Sequence, residues 1–122
     1  MRIFKIKSFT RFARRQKISN AALAEAVDRA GKGLVDADLG GGLIKQRIAR
    51  PGPGRSGGFR AVIAYRAGKL AVFLYGFAKN ELDNIQDDEL EALQEIAEVW
   101  FKADRAVLKK QVSTGLAEEI TK

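Results

Sequence analysis

Apolar and polar positions change their period along this chain, and each change marks an element. Residues 2–6 (RIFKI) alternate as a short strand, which puts Ile3 and either Phe4 or Ile6 in the core. Ser8 is placed to cap a helix over about residues 9–16, where Phe9, Phe12 and Ala13 form a one-sided stripe. Arg11, Arg14, Arg15 and Lys17 fall largely on the other side, which reads as a solvated face with a secondary binding role left open. Ser19 begins a second helix to about residue 32, with Leu23, Ala26, Val27, Ala30 and Leu34 on its apolar face and Gly31 or Gly33 at its end. VDADLGGG then reads as a loop. Three runs rich in β-branched and aromatic residues follow (43–49, 59–66 and 70–77), and they read as consecutive strands.

In the first of these runs Lys45 and Arg47 share one face while Ile44 and Ile48 share the other. The link RPGPGRSGG (50–58) holds both prolines and four glycines, so it is a long hairpin loop; Ala67, Gly68 and Lys69 make a second, shorter one. Residues 70–77 are apolar on both faces, as befits a central strand. From Asp87 the period is helical. Asp88 and Glu91 form a candidate capping box, and Leu90, Leu93, Ala97, Trp100, Val107 and Leu108 make one long stripe, so this helix is expected to cover the sheet. Acids gather at its start, with Lys102, Arg105, Lys109 and Lys110 near its end, as the helix dipole favours. Residues 111–122 read as a frayed tail or a small extra helix. The expected fold is α+β: a small twisted, mainly antiparallel sheet, an N-terminal helical hairpin and a C-terminal covering helix. One domain is expected over 1–122, its core at about 2–110.

Charge sharpens this picture. The net charge of +7 hides a split: residues 1–80 carry 17 Lys and Arg against 4 Asp and Glu, a net +13, and residues 81–122 carry 5 against 11, a net −6. Between Asp38 and Glu81 there is no acid at all, while Lys45, Arg47, Arg50, Arg55, Arg60, Arg66, Lys69 and Lys79 all lie there. A sheet carrying that many cations without local carboxylates is a surface for a polyanion. The glycine-rich loops match neither GxxxxGK[ST] nor a GxGxxG between strand and helix, so they read as turns.

The chain contains no Cys and no His, which removes thiolate nucleophiles, imidazole bases and nearly every zinc or transition-metal site. No metal and no cofactor is expected. A zero cysteine count, no signal-peptide pattern and no run of eighteen apolar residues make a cytoplasmic location without membrane attachment the expectation. A phosphodiester needs cations to hold flanking phosphates and to stabilise charge developing at the scissile one. Lys45 and Arg47, with Arg60 brought near by strand pairing, are the candidates for that work.

The ordered set Lys45-x-Arg47, Gly57-Gly58-x-Arg60 and Gly76-Phe77-x-Lys79-Asn80-Glu81 resembles the RelE/ParE superfamily of bacterial toxin–antitoxin toxins, most closely its HigB-like branch, over about residues 2–110. The resemblance implies a messenger-RNA endonuclease that blocks translation, in many members within the ribosomal decoding site. It implies an adjacently encoded antitoxin, expected to be of helix-turn-helix type. By position it assigns Lys45, Arg47, Arg60 and Lys79 to catalysis, with Arg50, Arg55, Arg66 and Asn80 as RNA or phosphate contacts. The sequence departs from RelE-like enzymes at Asn80, where an arginine is usual, and near Ile85, where a tyrosine is usual. The alternatives are a ParE-like gyrase inhibitor, which needs no convergent basic cluster, and a non-catalytic RNA-binding module, which needs exposed aromatics for stacking. Phe59, Tyr65, Phe73, Tyr75 and Phe77 are available for that, but their strand spacing favours the core.

Overall fold

The computed structural model describes residues 1–49, 58–78 and 85–121. Its element order is β1 (Arg2–Ile6), α1 (Lys7–Arg15), α2 (Asn20–Gly31), β2 (Ala37–Gly40), β3 (Leu43–Ile48), β4 (Phe59–Arg66), β5 (Leu70–Ala78), α3 (Asp87–Lys102), α4 (Arg105–Ser113) and β6 (Ala117–Ile120). Among the described residues, six strands form one sheet in the order β2-β3-β4-β5-β1-β6, in which β1 and β5 run parallel and the other described neighbours antiparallel.

Both faces of the sheet are covered. On one, α1 and α2 bury Phe9, Ala13, Leu23, Val27 and Ala30 against Ile3, Ile44, Ile48, Phe59, Ile63 and Phe73. On the other, Ala97 and Trp100 of α3 and Leu108 of α4 meet Phe4, Leu43, Val62, Val72, Leu74 and Phe77. Period-two alternation is what sends Ile3 to one core and Phe4 to the other. Trp100 packs on Phe4 with ring centroids 5.5 Å apart. In β4 and β5 the pairing slips by one residue: Val62 faces Tyr75 but Ile63 faces Phe73, leaving Leu74 as a bulge at the point where β1 stops accompanying β5.

Several expectations are corrected. Ser8 is not the cap; α1 starts two residues earlier than expected, directly from β1, with Ile6 as its N-cap, and Lys7 N donates to Leu116 O. Ser19 does cap α2, accepting from Ala22 N at 3.1 Å. Leu34 lies beyond the left-handed Gly33 that turns the chain, so it is 60% exposed and not part of the α2 stripe. VDADLGGG is not all loop: Ala37–Gly40 pairs with β3, and Gly40, Gly41 and Gly42 all take positive φ to close that hairpin. Asp88 and Glu91 form no capping box; Gln86 is the N-cap, without a side-chain bond, and Asp88 accepts from its neighbour Glu89 N.

The long C-terminal stripe is two helices, because Ala103 leaves helical backbone and Asp104 caps a new helix through Val107 N at 2.9 Å. Val107 consequently points outward, 41% exposed. The tail is neither frayed nor helical at Ala117–Ile120: this segment pairs antiparallel with β1 as an edge strand. Its two apolar ends, Ala117 and Ile120, are buried on opposite faces.

Candidate functional site

The β3–β4 register places Arg47 directly opposite Arg60 and Lys45 opposite Val62. The β4–β5 register continues both rows, with Phe77 beside Arg60 and Tyr75 beside Val62. Lys45 and Arg47 share the face of Leu43, the side covered further along by α3 and α4. Three cations therefore converge on one patch of sheet, and among the described residues none has an ion-pair partner. Arg47 is exposed, Lys45 and Arg60 half-buried. One terminal nitrogen of Arg60, Nη1, is buried with no hydrogen-bond partner among the described residues. A buried guanidinium donor without an acceptor is costly, and an anion that reached it would relieve that cost.

The opposite face holds these strands in register. Gln46, between Lys45 and Arg47, is fully buried beneath α2. Its amide nitrogen donates to Ala26 O at 2.8 Å and Leu34 O at 3.0 Å, and its oxygen accepts from Asp36 N at 3.2 Å. Arg29, paired with Glu25, donates to Arg47 O. The backbone under Arg47 is thus fastened to the end of α2, and its side chain is left to the other face. The sequence did carry a signal for Gln46: it is a polar residue on the apolar side of an otherwise regular alternation.

The remaining predicted positions divide in two. Arg50, Arg55, Lys79 and Asn80 lie outside the described residues. Arg66 is not brought to the patch. It sits six residues along β4 from Arg60, on the order of 20 Å away, with its guanidinium 4.4 Å from the Phe101 ring centroid. Of the five aromatics, Phe59, Phe73 and Phe77 are buried and Tyr65 half-buried. Tyr75 is the exception at 37% exposed, its ring 5.8 Å from that of Phe77. Sequence reasoning grouped it with the core; it lies past the bulge at Leu74, where β1 no longer pairs with β5. Among the described residues, no group of three or more His, Cys, Asp or Glu side chains could hold a metal ion. No described helix is long and apolar enough to cross a membrane.

The family model of the RelE toxin of the RelE/RelB toxin–antitoxin system matches residues 1–120. The chain belongs to the RelE toxin family. No curated protein shows significant similarity to it. As a RelE-family toxin it has a RelB-type antitoxin as the expected class of partner. The family match extends past α4 through β6, which agrees with the C-terminal segment being part of the sheet.

Proposed function

We propose that this RelE-family chain, by its motifs HigB-like, is a metal-independent endonuclease of messenger RNA that blocks translation when its antitoxin is removed. The observation that carries the reading is Arg47 facing Arg60 beside Lys45, with a buried Arg60 nitrogen that lacks an acceptor among the described residues. The RNA supplies its own nucleophile. Its 2′-oxygen attacks the adjacent phosphorus, the bond to the 5′-oxygen breaks, and the products are a 2′,3′-cyclic phosphate and a 5′-hydroxyl. Arg60, assisted by Arg47, stabilises the charge that builds on the phosphoryl oxygens. Lys45 takes the 2′-proton and Lys79 protonates the 5′-oxygen or anchors a phosphate, with these two roles exchangeable. A sequence without His or Cys, and without an acid from 39 to 80, favours lysine and arginine over metal or imidazole chemistry.

The antitoxin, encoded alongside and of helix-turn-helix type, neutralises the toxin by laying an acidic or amphipathic segment over this patch. The decoding site of the ribosome is the proposed place of cutting. Single-turnover cleavage of a defined messenger RNA tests the reading. Arg60→Ala and Lys45→Ala should each slow it by about 10²-fold or more, with binding changed far less. A 2′-deoxy sugar at the scissile nucleotide should abolish cutting, and EDTA should not. Full activity on the deoxy substrate, or loss in EDTA, overturns it. A DNA-damage response on overexpression without RNA fragmentation would point to gyrase instead.

A further inference from the structure

The first acid in the chain is Glu25, and ahead of it α1 and its end carry Lys7, Arg11, Arg14, Arg15 and Lys17, all exposed. None of the five is in an ion pair among the described residues. Two of them, Arg11 and Arg15, line a cleft of about 240 Å³ together with Ser8, Phe12, Tyr75 and Gly76. This cleft lies where β5 has lost β1 as a neighbour, since the β1–β5 register ends at Lys5 and Phe73.

Its floor is stiff. The Phe12 ring lies against Gly76, so close that a Cβ there would sit 2.4 Å from it, and Phe12 is braced by Phe9 and Phe59, with ring centroids 5.6 and 5.7 Å away. Its wall is shared with the catalytic patch: Tyr75 stacks near Phe77, and Phe77 pairs with Arg60. One two-residue step along β5, about 7 Å, thus connects the Arg60 row to the row of Tyr75.

We infer that the α1–β5 cleft is a second RNA subsite, in which Arg11, Arg15 and the Ser8 hydroxyl hold a phosphate and Tyr75 stacks the base next to it. The inference rests on the endonuclease reading and extends it to the nucleotides flanking the cut. Arginine with an exposed aromatic ring is the combination that binds single-stranded nucleic acid. An acidic peptide strand fits less well, because α1 already flanks this part of β5 and leaves a narrow slot in place of a free edge. The solvated face expected from the sequence is, on this side of α1, part of the substrate path.

The test is binding of a fluorescent, uncleavable 2′-O-methyl RNA across a salt series. Arg11→Ala with Arg15→Ala should weaken binding about tenfold or more and lower the log–log salt slope by about 0.7, the value for one phosphate on a single strand. Tyr75→Ala should weaken it about tenfold, and Tyr75→Phe should restore it. Lys109→Ala with Lys110→Ala removes the same charge from α4 and should leave affinity nearly unchanged.

Equal losses from the two double variants would mean overall charge alone and overturn the subsite. So would unchanged binding in the Arg11/Arg15 variant; if Arg60→Ala still abolished cleavage there, the endonuclease reading would survive. Loss of antitoxin binding in that variant, with RNA binding intact, would assign the cleft to the protein partner and likewise overturn it. A wild-type chain that neither binds nor cuts RNA would remove both readings.

Discussion

Arg47 and Arg60 stand directly opposite each other across the β3–β4 ladder. Directly paired side chains have Cβ atoms about 4.5–5.5 Å apart, and like charges in that relationship are destabilising. Among the described residues nothing acidic offsets them, and a buried nitrogen of the half-buried Arg60 has no acceptor. The folded chain therefore carries an electrostatic cost at the place where an anion would bind. Stability and function pull in opposite directions there.

That opposition is measurable at Arg60. Arg60→Met keeps the length of the side chain and removes the unpaired donor, so urea unfolding should show a gain of about 1 kcal/mol or more, while RNA cleavage is lost. Added phosphate should stabilise the wild type more than the variant, because it binds the folded state at Arg60. Equal stabilisation of both would show that the anion acts elsewhere.

Gln46 should behave in the opposite way to its neighbours. Gln46→Leu strips the donor from Ala26 O and Leu34 O and the acceptor from Asp36 N, all in or near the buried α2–β3 contact. Several unmet groups at about 1–3 kcal/mol each give an expected loss of roughly 2–4 kcal/mol. Arg47→Gln, one residue away and exposed, should stay within about 0.5 kcal/mol of the wild type. Chemical denaturation of the two variants side by side decides it.

Gly76 and Phe12 form a testable pair. Gly76→Ala drives a methyl into the Phe12 ring, at 2.4 Å from two of its carbons, and should cost about 1–3 kcal/mol. Trimming the ring with Phe12→Leu should recover part of that loss, so the double variant is more stable than the two single effects added together. Simple additivity would mean that the contact is not the cause.

The C-terminal strand supplies a pH prediction. Arg2 meets Glu119 through two bonds, at 2.9 and 3.0 Å, tying β1 to β6. The hydrogen bonds from Arg2, helped less by its charge and opposed by partial burial, hold the Glu119 carboxyl below its ordinary value of 4.5. A lowered folded-state value means that this stabilisation is present above the ordinary carboxylate range and is lost as pH falls through the lowered value. Both groups are partly exposed, so the effect is at most about 1 kcal/mol. Protection of the Ala117–Ile120 amides, taken relative to the intrinsic exchange rate at each pH, should fall on acidification in the wild type, and Glu119→Gln should show that lower protection already at neutral pH. Identical pH profiles for the two would refute the assignment.

The sequence by itself determined the strands at about 2–6, 43–49, 59–66 and 70–77, within one residue of those observed, the faces of Lys45 and Arg47, the second helix with its Ser19 cap, and the absence of acids around the patch. These are local properties. Side-chain period, turn glycines and charge are written in neighbouring residues, and a burial pattern of two or 3.6 follows from backbone geometry alone. The motif order also led to the right family.

Tertiary structure decided the rest. Whether 117–120 is a tail or a strand depends on β1 having an open edge 111 to 117 residues earlier in the chain, which no window of residues contains. The break at Ala103 trades helix continuity for packing of Leu108 against the core of the α3–α4 face, a gain visible only once the sheet exists. The opposition of Arg47 and Arg60 required a register, and the exposure of Tyr75 required β1 to end where it does. Pairing between distant strands sets both, and that pairing is fixed by burial on two faces at once. Local propensity is blind to it.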